Sequence, residues 1–169
     1  MPSNSALHGA CDLDDLGVVQ RIVTSDANAV NSLGKFDRTP LHIAAKRGNM
    51  AVCKALLGSI PLDQQPQYLS LTTAHGFSAL YCAVLSGETE VVDFLVSGKY
   101  PVDLEAADLG GLRPLHIAAE KGYSDIVHRL LLAGCDVAAT DSIGRTSLAW
   151  AEAKGHAECV SLLTQASNE

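Results

Sequence analysis

The 169-residue sequence predicts an all-α repeat solenoid of about five stacked helix-turn-helix units, on three observations. The first is recurrence. TPLHIAAKRG at residues 39–48 returns as RPLHIAAEKG at 113–122, as SALYCAVLSG at 78–87, as TSLAWAEAKG at 146–155, and in outline as LHGACDLD at 7–14. Their leucines are Leu7, Leu41, Leu80, Leu115 and Leu148, so successive subtraction gives intervals of 34, 39, 35 and 33 residues. A period in this range marks a repeat array. The second observation is an apolar stripe at helical spacing behind every copy. The third is a turn residue, usually Gly, that stops the first helix at the same place each time.

The first unit, about residues 5–33, has Val18, Val19, Ile22 and Val23 as its second-helix stripe. Asp14 stands where the others have Gly, and Asp tolerates the left-handed backbone better than most residues. No hairpin precedes it, which suits an N-terminal cap with a polar outer side. In the second unit, about 36–65, Pro40 takes an early helical position where its missing N–H is not needed. Val52, Cys53, Leu56 and Leu57 form its stripe. Extra residues follow, including Pro61, Gln64, Gln65 and Pro66, and are read as an insertion loop over about 58–70. The third unit, about 74–105, carries Val91, Val92 and Leu95, with a smaller insertion at Lys99, Tyr100 and Pro101. The fourth, about 109–138, is the most regular. Residues 114–120 form its first helix, Gly122 stops it, and Ile126, Val127, Leu130 and Leu131 line its second. The fifth, about 142–166, uses Cys159, Val160, Leu162 and Leu163 and serves as the C-terminal cap. Between units lie short turn-rich tips such as Asp141-Ser142-Ile143-Gly144, read as β-hairpin-like connections. The array is expected to fill residues 1–169 as one domain.

The pattern resembles the ankyrin repeat, whose T-P-L-H-x-A signature is met in full by Thr39, Pro40, Leu41, His42 and Ala44. The resemblance implies a curved stack of helix pairs with projecting hairpins and a concave face on which partners bind. It also implies that His42 and His116 bridge hairpins and helices rather than catalyse. Tyr81 and Ala149 replace this histidine in other copies, which suits a structural part. Asn31 holds a position where the family often carries an Asn that can be hydroxylated; a turn-bonding role is the simpler expectation.

Composition narrows the function further. A formal charge of −7 argues against bulk nucleic-acid affinity, which needs a basic footprint. The N-terminus shows neither a basic n-region nor an apolar h-region, and no apolar run is long enough for a bilayer. Five cysteines, an odd number without framework spacing, point to a reducing compartment, cytoplasmic or nuclear. His8 and Cys11 sit close on one helix, but no second pair completes a zinc tetrahedron. Gly110-Gly111 is not followed by the Lys-Ser/Thr of a phosphate loop. No metal, cofactor or catalytic group is expected.

What remains is the set of residues that the repeat does not need. On the tips and the solvent side of the first helices these are Lys35, Phe36, Arg38, Lys46 and Arg47; His75, Phe77 and Leu85; Leu109, Leu112, Glu120 and Lys121; and Ile143, Arg145 and Lys154. Seven of the chain's twelve Lys and Arg residues fall in this set, in a protein that is acidic overall. Interspersed apolar groups suggest a groove for an acidic segment with apolar anchors, since Arg and aromatic residues dominate interface energetics. The plainer alternative is a solvated face whose aliphatic residues pack hairpin on hairpin. Asp15, Glu90, Asp93, Asp125 and Glu158, on the outer side of the second helices, are read as solvated.

The sequence therefore predicts a non-catalytic, monomeric module that binds another protein or peptide. It would act by occupancy, as inhibitor, adaptor or assembly chaperone. A scaffold without one defined ligand is the alternative, and a nucleic-acid binder using the basic groove ranks below it. Small ankyrin-like proteins include cyclin-dependent kinase inhibitors, but the regular first helix of the second unit does not favour that version.

Overall fold

A computed structural model describes residues 6–168 of the chain. Ten of its α-helices pair as the repeats require: α1 (Ala6–Asp12) with α2 (Leu16–Ser25), α3 (Pro40–Lys46) with α4 (Met50–Gly58), α6 (Ala79–Ser86) with α7 (Thr89–Val96), α8 (Pro114–Lys121) with α9 (Ser124–Leu132), and α10 (Ser147–Lys154) with α11 (Ala157–Ala166). The first helix of each pair packs on the first helices of neighbouring pairs, giving an inner layer α1–α3–α6–α8–α10. The second helices form an outer layer α2–α4–α7–α9–α11. Small residues allow the close inner packing: Ala44, Ala45, Ala83, Ala118, Ala119 and Ala151 are fully buried. The outer layer contributes larger plugs, among them Leu56, Leu57, Leu95, Leu130 and Leu163.

Three of the inner helices start at a side-chain cap. Thr39, Ser78 and Thr146 accept backbone N–H groups of the first turn through their side chains. Each inner helix ends on a left-handed residue, with Asp14 at φ 58° standing in for the Gly of the other copies. That stop turns the chain back into the outer helix.

Residues 58–70 are not simply a loop. They contain an additional helix, α5 (Gln65–Leu69). Tyr68 and Leu69 are buried in the common core, and the buried Gln65 amide donates to the carbonyls of Leu57 and Ile60 at 3.2 Å each. The insertion is folded back onto α4. The smaller insertion also packs, with Tyr100 buried edge-on against Phe94 at 5.0 Å between centroids.

The tips lack extended strands among the described residues, apart from one isolated bridge between Thr140 and Thr146. Each is closed instead by one backbone bond over four residues: Gly34 to Arg38, Thr73 to Phe77, Asp108 to Leu112, and Asp141 to Arg145. Neighbouring tips are stitched together as well. The N–H groups of Ala74, Leu109 and Ser142 donate to the carbonyls of Phe36, His75 and Gly110, so the tips form a continuous edge beside the inner helices.

Candidate partner-binding face

The buried histidines hold this edge in place. His42 Nδ1 accepts the Thr39 N–H at 3.1 Å, which leaves the proton on Nε2, and Nε2 donates to the Leu71 carbonyl of the next unit at 3.1 Å. His116 repeats the arrangement, accepting from the Arg113 N–H and donating to the Arg145 carbonyl. His8 Nε2 lies 2.8 Å from the Arg38 carbonyl. In the third unit Tyr81 performs the same task, its hydroxyl donating to Asp108 at 2.7 Å. Burial lowers the His42 pKa to about 4 and pulls that of His116 down too, so both rings are neutral fixtures at pH 7.

The tips themselves are capped by a side chain at their first position. Asp141 Oδ1 accepts the N–H groups of Ile143 and Arg145, and Asp108 Oδ1 those of Gly110 and Leu112; Thr73 Oγ1 takes the same pair in its tip. The tip of the second unit, Gly34 to Arg38, departs from this. Gly34 occupies the capping position and offers no acceptor, while Phe36 and Asp37 both adopt left-handed backbone, at φ 62° and 55°. A bulky residue there is held at an energetic cost of about 1–2 kcal/mol. Phe36 is 46% exposed.

Phe36 begins an aromatic row. Its ring centroid lies 5.8 Å from that of His75, which lies 5.7 Å from Phe77, and Phe77 stacks on Tyr81 at 4.6 Å. Lys35 Nζ and the Arg38 guanidinium stand 4.9 and 5.5 Å from the Phe36 ring centre. Beneath this row, between the first three units, is a hollow of about 440 Å³. Lys35, Arg38, Lys46, Arg47, His75, Phe77 and Leu85 line it, seven residues of the expected set, together with His8, Asp12, Ile43 and Thr73. Cys82 also faces it, but burial pushes its thiol up to about 11, so no thiolate nucleophile is present.

The remaining expected residues lie beyond the hollow, and their charges are largely spent. Arg145 Nε bonds Asp141 at 3.0 Å while its guanidinium covers the Trp150 ring at 3.6 Å. Trp150 Nε1 donates to the same Asp141 oxygen. Burial alone would raise the Asp141 pKa, but these hydrogen bonds win and hold it at about 2. Glu120 draws in Lys154 at 3.5 Å and Lys121 at 4.0 Å. Leu109 and Ile143 project from their tips, 80% and 69% exposed, and Leu112 is half-buried.

Several residues lining the hollow were absent from the expected set, and the charged one among them is Asp12. Asp12 bonds Arg47 through Nη2 at 2.6 Å and Nε at 3.1 Å. Its signal was available: counted from Leu7 and Leu41, Asp12 holds in its unit the place Lys46 holds in the next.

Among the described residues no group of three or more His, Cys, Asp or Glu side chains could hold a metal ion, and no helix is long and apolar enough to cross a membrane. Stacked helix pairs joined by tips define a repeat-built solenoid. The sequence matches the family of ankyrin repeats over residues 7–108 and again over 100–169. The chain belongs to that family.

Its relatives are varied. It is 32% identical over 167 residues to a palmitoyltransferase, AKR1, of Lachancea kluyveri, a match covering 95% of this chain and 21% of that protein. It is 46% identical over 78 residues to protein phosphatase 1 regulatory subunit 27 of Homo sapiens, covering 45% of this chain and 49% of that protein. With the neurogenic locus notch homolog protein 1 of Xenopus tropicalis it shares 27% over 150 residues, 6% of that protein. The chain thus spans about a fifth of the first relative's length and half of the second's. The ankyrin repeat is in general a module for binding other proteins.

Proposed function

We propose that the protein is a non-catalytic binding module whose inner face receives an acidic segment of a partner protein with apolar anchors, and that it acts by occupancy as an inhibitor, adaptor or assembly chaperone. One observation carries this reading: the hollow between the first three units, where Lys35, Arg38 and Lys46 meet the aromatic row. A positive, partly aromatic recess on a protein of net charge −7 favours acidic partners and steers their approach. Aromatic surface flanking charge also provides the anchors on which interface energy concentrates. The likeness to a regulatory subunit of a phosphatase is in keeping with a role exerted through binding another enzyme, and it adds weight to the inhibitor or adaptor version.

The test is affinity capture from the native cell with wild type and with Lys46→Glu/Arg47→Glu. The expected outcome is loss of one or more specific partners with only a small fall in thermal stability, from the exposed Arg47–Asp12 pair. An identical partner set would remove the inner face from consideration and leave the scaffold reading.

A further inference from the structure

The inner-helix ends follow a pairing rule that holds at two of the four interfaces; between the third and fourth units the apolar Leu85 stands at the first position opposite Lys121. The last two outward positions of these helices are Asp12-Leu13, Lys46-Arg47, Leu85-Ser86, Glu120-Lys121 and Ala153-Lys154 in successive units. Where ion pairs join adjacent units here, the second position of one unit reaches back to the first position of the unit before it. Arg47 takes Asp12 between the first and second units, and Lys154 takes Glu120 between the fourth and fifth. Between the second and third units the same register opposes Ser86 to Lys46. Serine supplies no charge, and the described residues give Lys46 no carboxylate partner. Lys35 and Arg38, on the same hollow, likewise have no carboxylate partner among the described residues; both stand by the Phe36 ring.

We infer that Lys46 is the receptor for an acidic side chain of the partner, which supplies the carboxylate that the stack itself provides at the two paired interfaces. This rests on the reading of the inner face as the binding surface and narrows it to one interface and one chemistry. The residue next to that acid in the partner is apolar or aromatic, because Leu85, Phe77 and His75 line the same hollow as Lys46. Lys35 and Arg38 on the facing tip receive a further acid and fix the direction in which the segment runs. The fourth and fifth units contribute little charge to recognition, since Lys121, Arg145 and Lys154 are each occupied by a carboxylate of the chain itself.

The rule makes its own inhibitor available. Ser86→Glu places an acid where the register would aim it at Lys46, a self-filling variant that leaves the core untouched because position 86 is only half-buried. The probe is the peptide acetyl-Glu-Glu-Phe-Glu-Leu-amide, titrated into labelled protein and followed by amide chemical shifts, beside its Gln-for-Glu analogue and a thymidine oligonucleotide. The expected result has shifts centred on Lys46, His75 and Leu85, at least tenfold weaker binding in Ser86→Glu, and binding within about twofold of wild type in Ser86→Gln, with weakening by added salt. Equal binding by Ser86→Glu and Ser86→Gln, equal binding by the Gln analogue, shifts centred on Arg145 and Lys154, or preference for the oligonucleotide each overturns the assignment. The broader reading fails separately, through an unchanged partner set in the Lys46→Glu/Arg47→Glu capture.

Discussion

Histidine does in this chain what a cross-link would do elsewhere. The buried rings of His42 and His116 are each satisfied at both nitrogens, one by the ring's own unit and one by the segment that follows, so one unit fixes the position of the next. The bonds require the neutral ring, and that makes stability depend on pH. The folded pKa of His42, about 4, lies below the ordinary value of 6.5, so protonation favours the unfolded chain. The contribution is complete above 6.5 and disappears as pH falls to about 4, on the order of 3 kcal/mol for His42. His116 adds to the same fall. A second loss follows at lower pH, when the carboxylate of Asp141 is protonated between its ordinary range and about 2. Urea unfolding at a series of pH values is expected to show both regions. His42→Asn combined with His116→Asn should flatten the first, whatever it does to absolute stability; a slope as steep as wild type there would refute the assignment. The bridging role was expected from the resemblance, whereas the depth of burial that sets the pKa had to come from packing.

At the scale of the element, tips and helix stops are governed by where left-handed backbone can be placed. Gly111 has φ +75°, and a Cβ there would lie 2.7 Å from the Ser142 backbone N of the next tip. Gly134 has φ +93° and open space around the same atom. Gly111→Ala is therefore expected to lose about 2–3 kcal/mol and Gly134→Ala about 1 kcal/mol, the backbone term alone. Urea midpoints decide, and equal losses would show that tip contact contributes nothing. The residues of these tips could be read in advance because Gly, Asp and Thr recur at fixed distances from each leucine. Helix α5 could not. Its five residues, with a Pro inside the first turn, carry no helical period, and only the space above α4 and the needs of the Gln65 amide make them fold. Nor did the tip of the second unit announce its strain; Phe36 is an ordinary Phe in sequence and a left-handed one in place.

At the scale of the molecule, each unit touches only its neighbours, so end units have one interface and central units two. Amide hydrogen exchange should accordingly be slowest in α6 to α9 and faster in α2 and α11, with the tips intermediate where they are stitched. Uniform protection from end to end would contradict a nearest-neighbour stack. The same linear build explains why charges on the inner face are read in register. A helix end meets the ends of the adjacent units.

The period, the helix pairs, the stops and most of the face were written in the sequence, because a repeat places equivalent residues at equivalent points and so exposes which letters are spare. Lys46 and Arg47 were equally spare by that count. Only the tertiary structure separated them, since an ion pair depends on what the neighbouring unit presents at bonding distance. Arg47 meets Asp12, Lys154 meets Glu120, Arg145 lies on Trp150 and Asp141, and Lys46 is left facing the hollow.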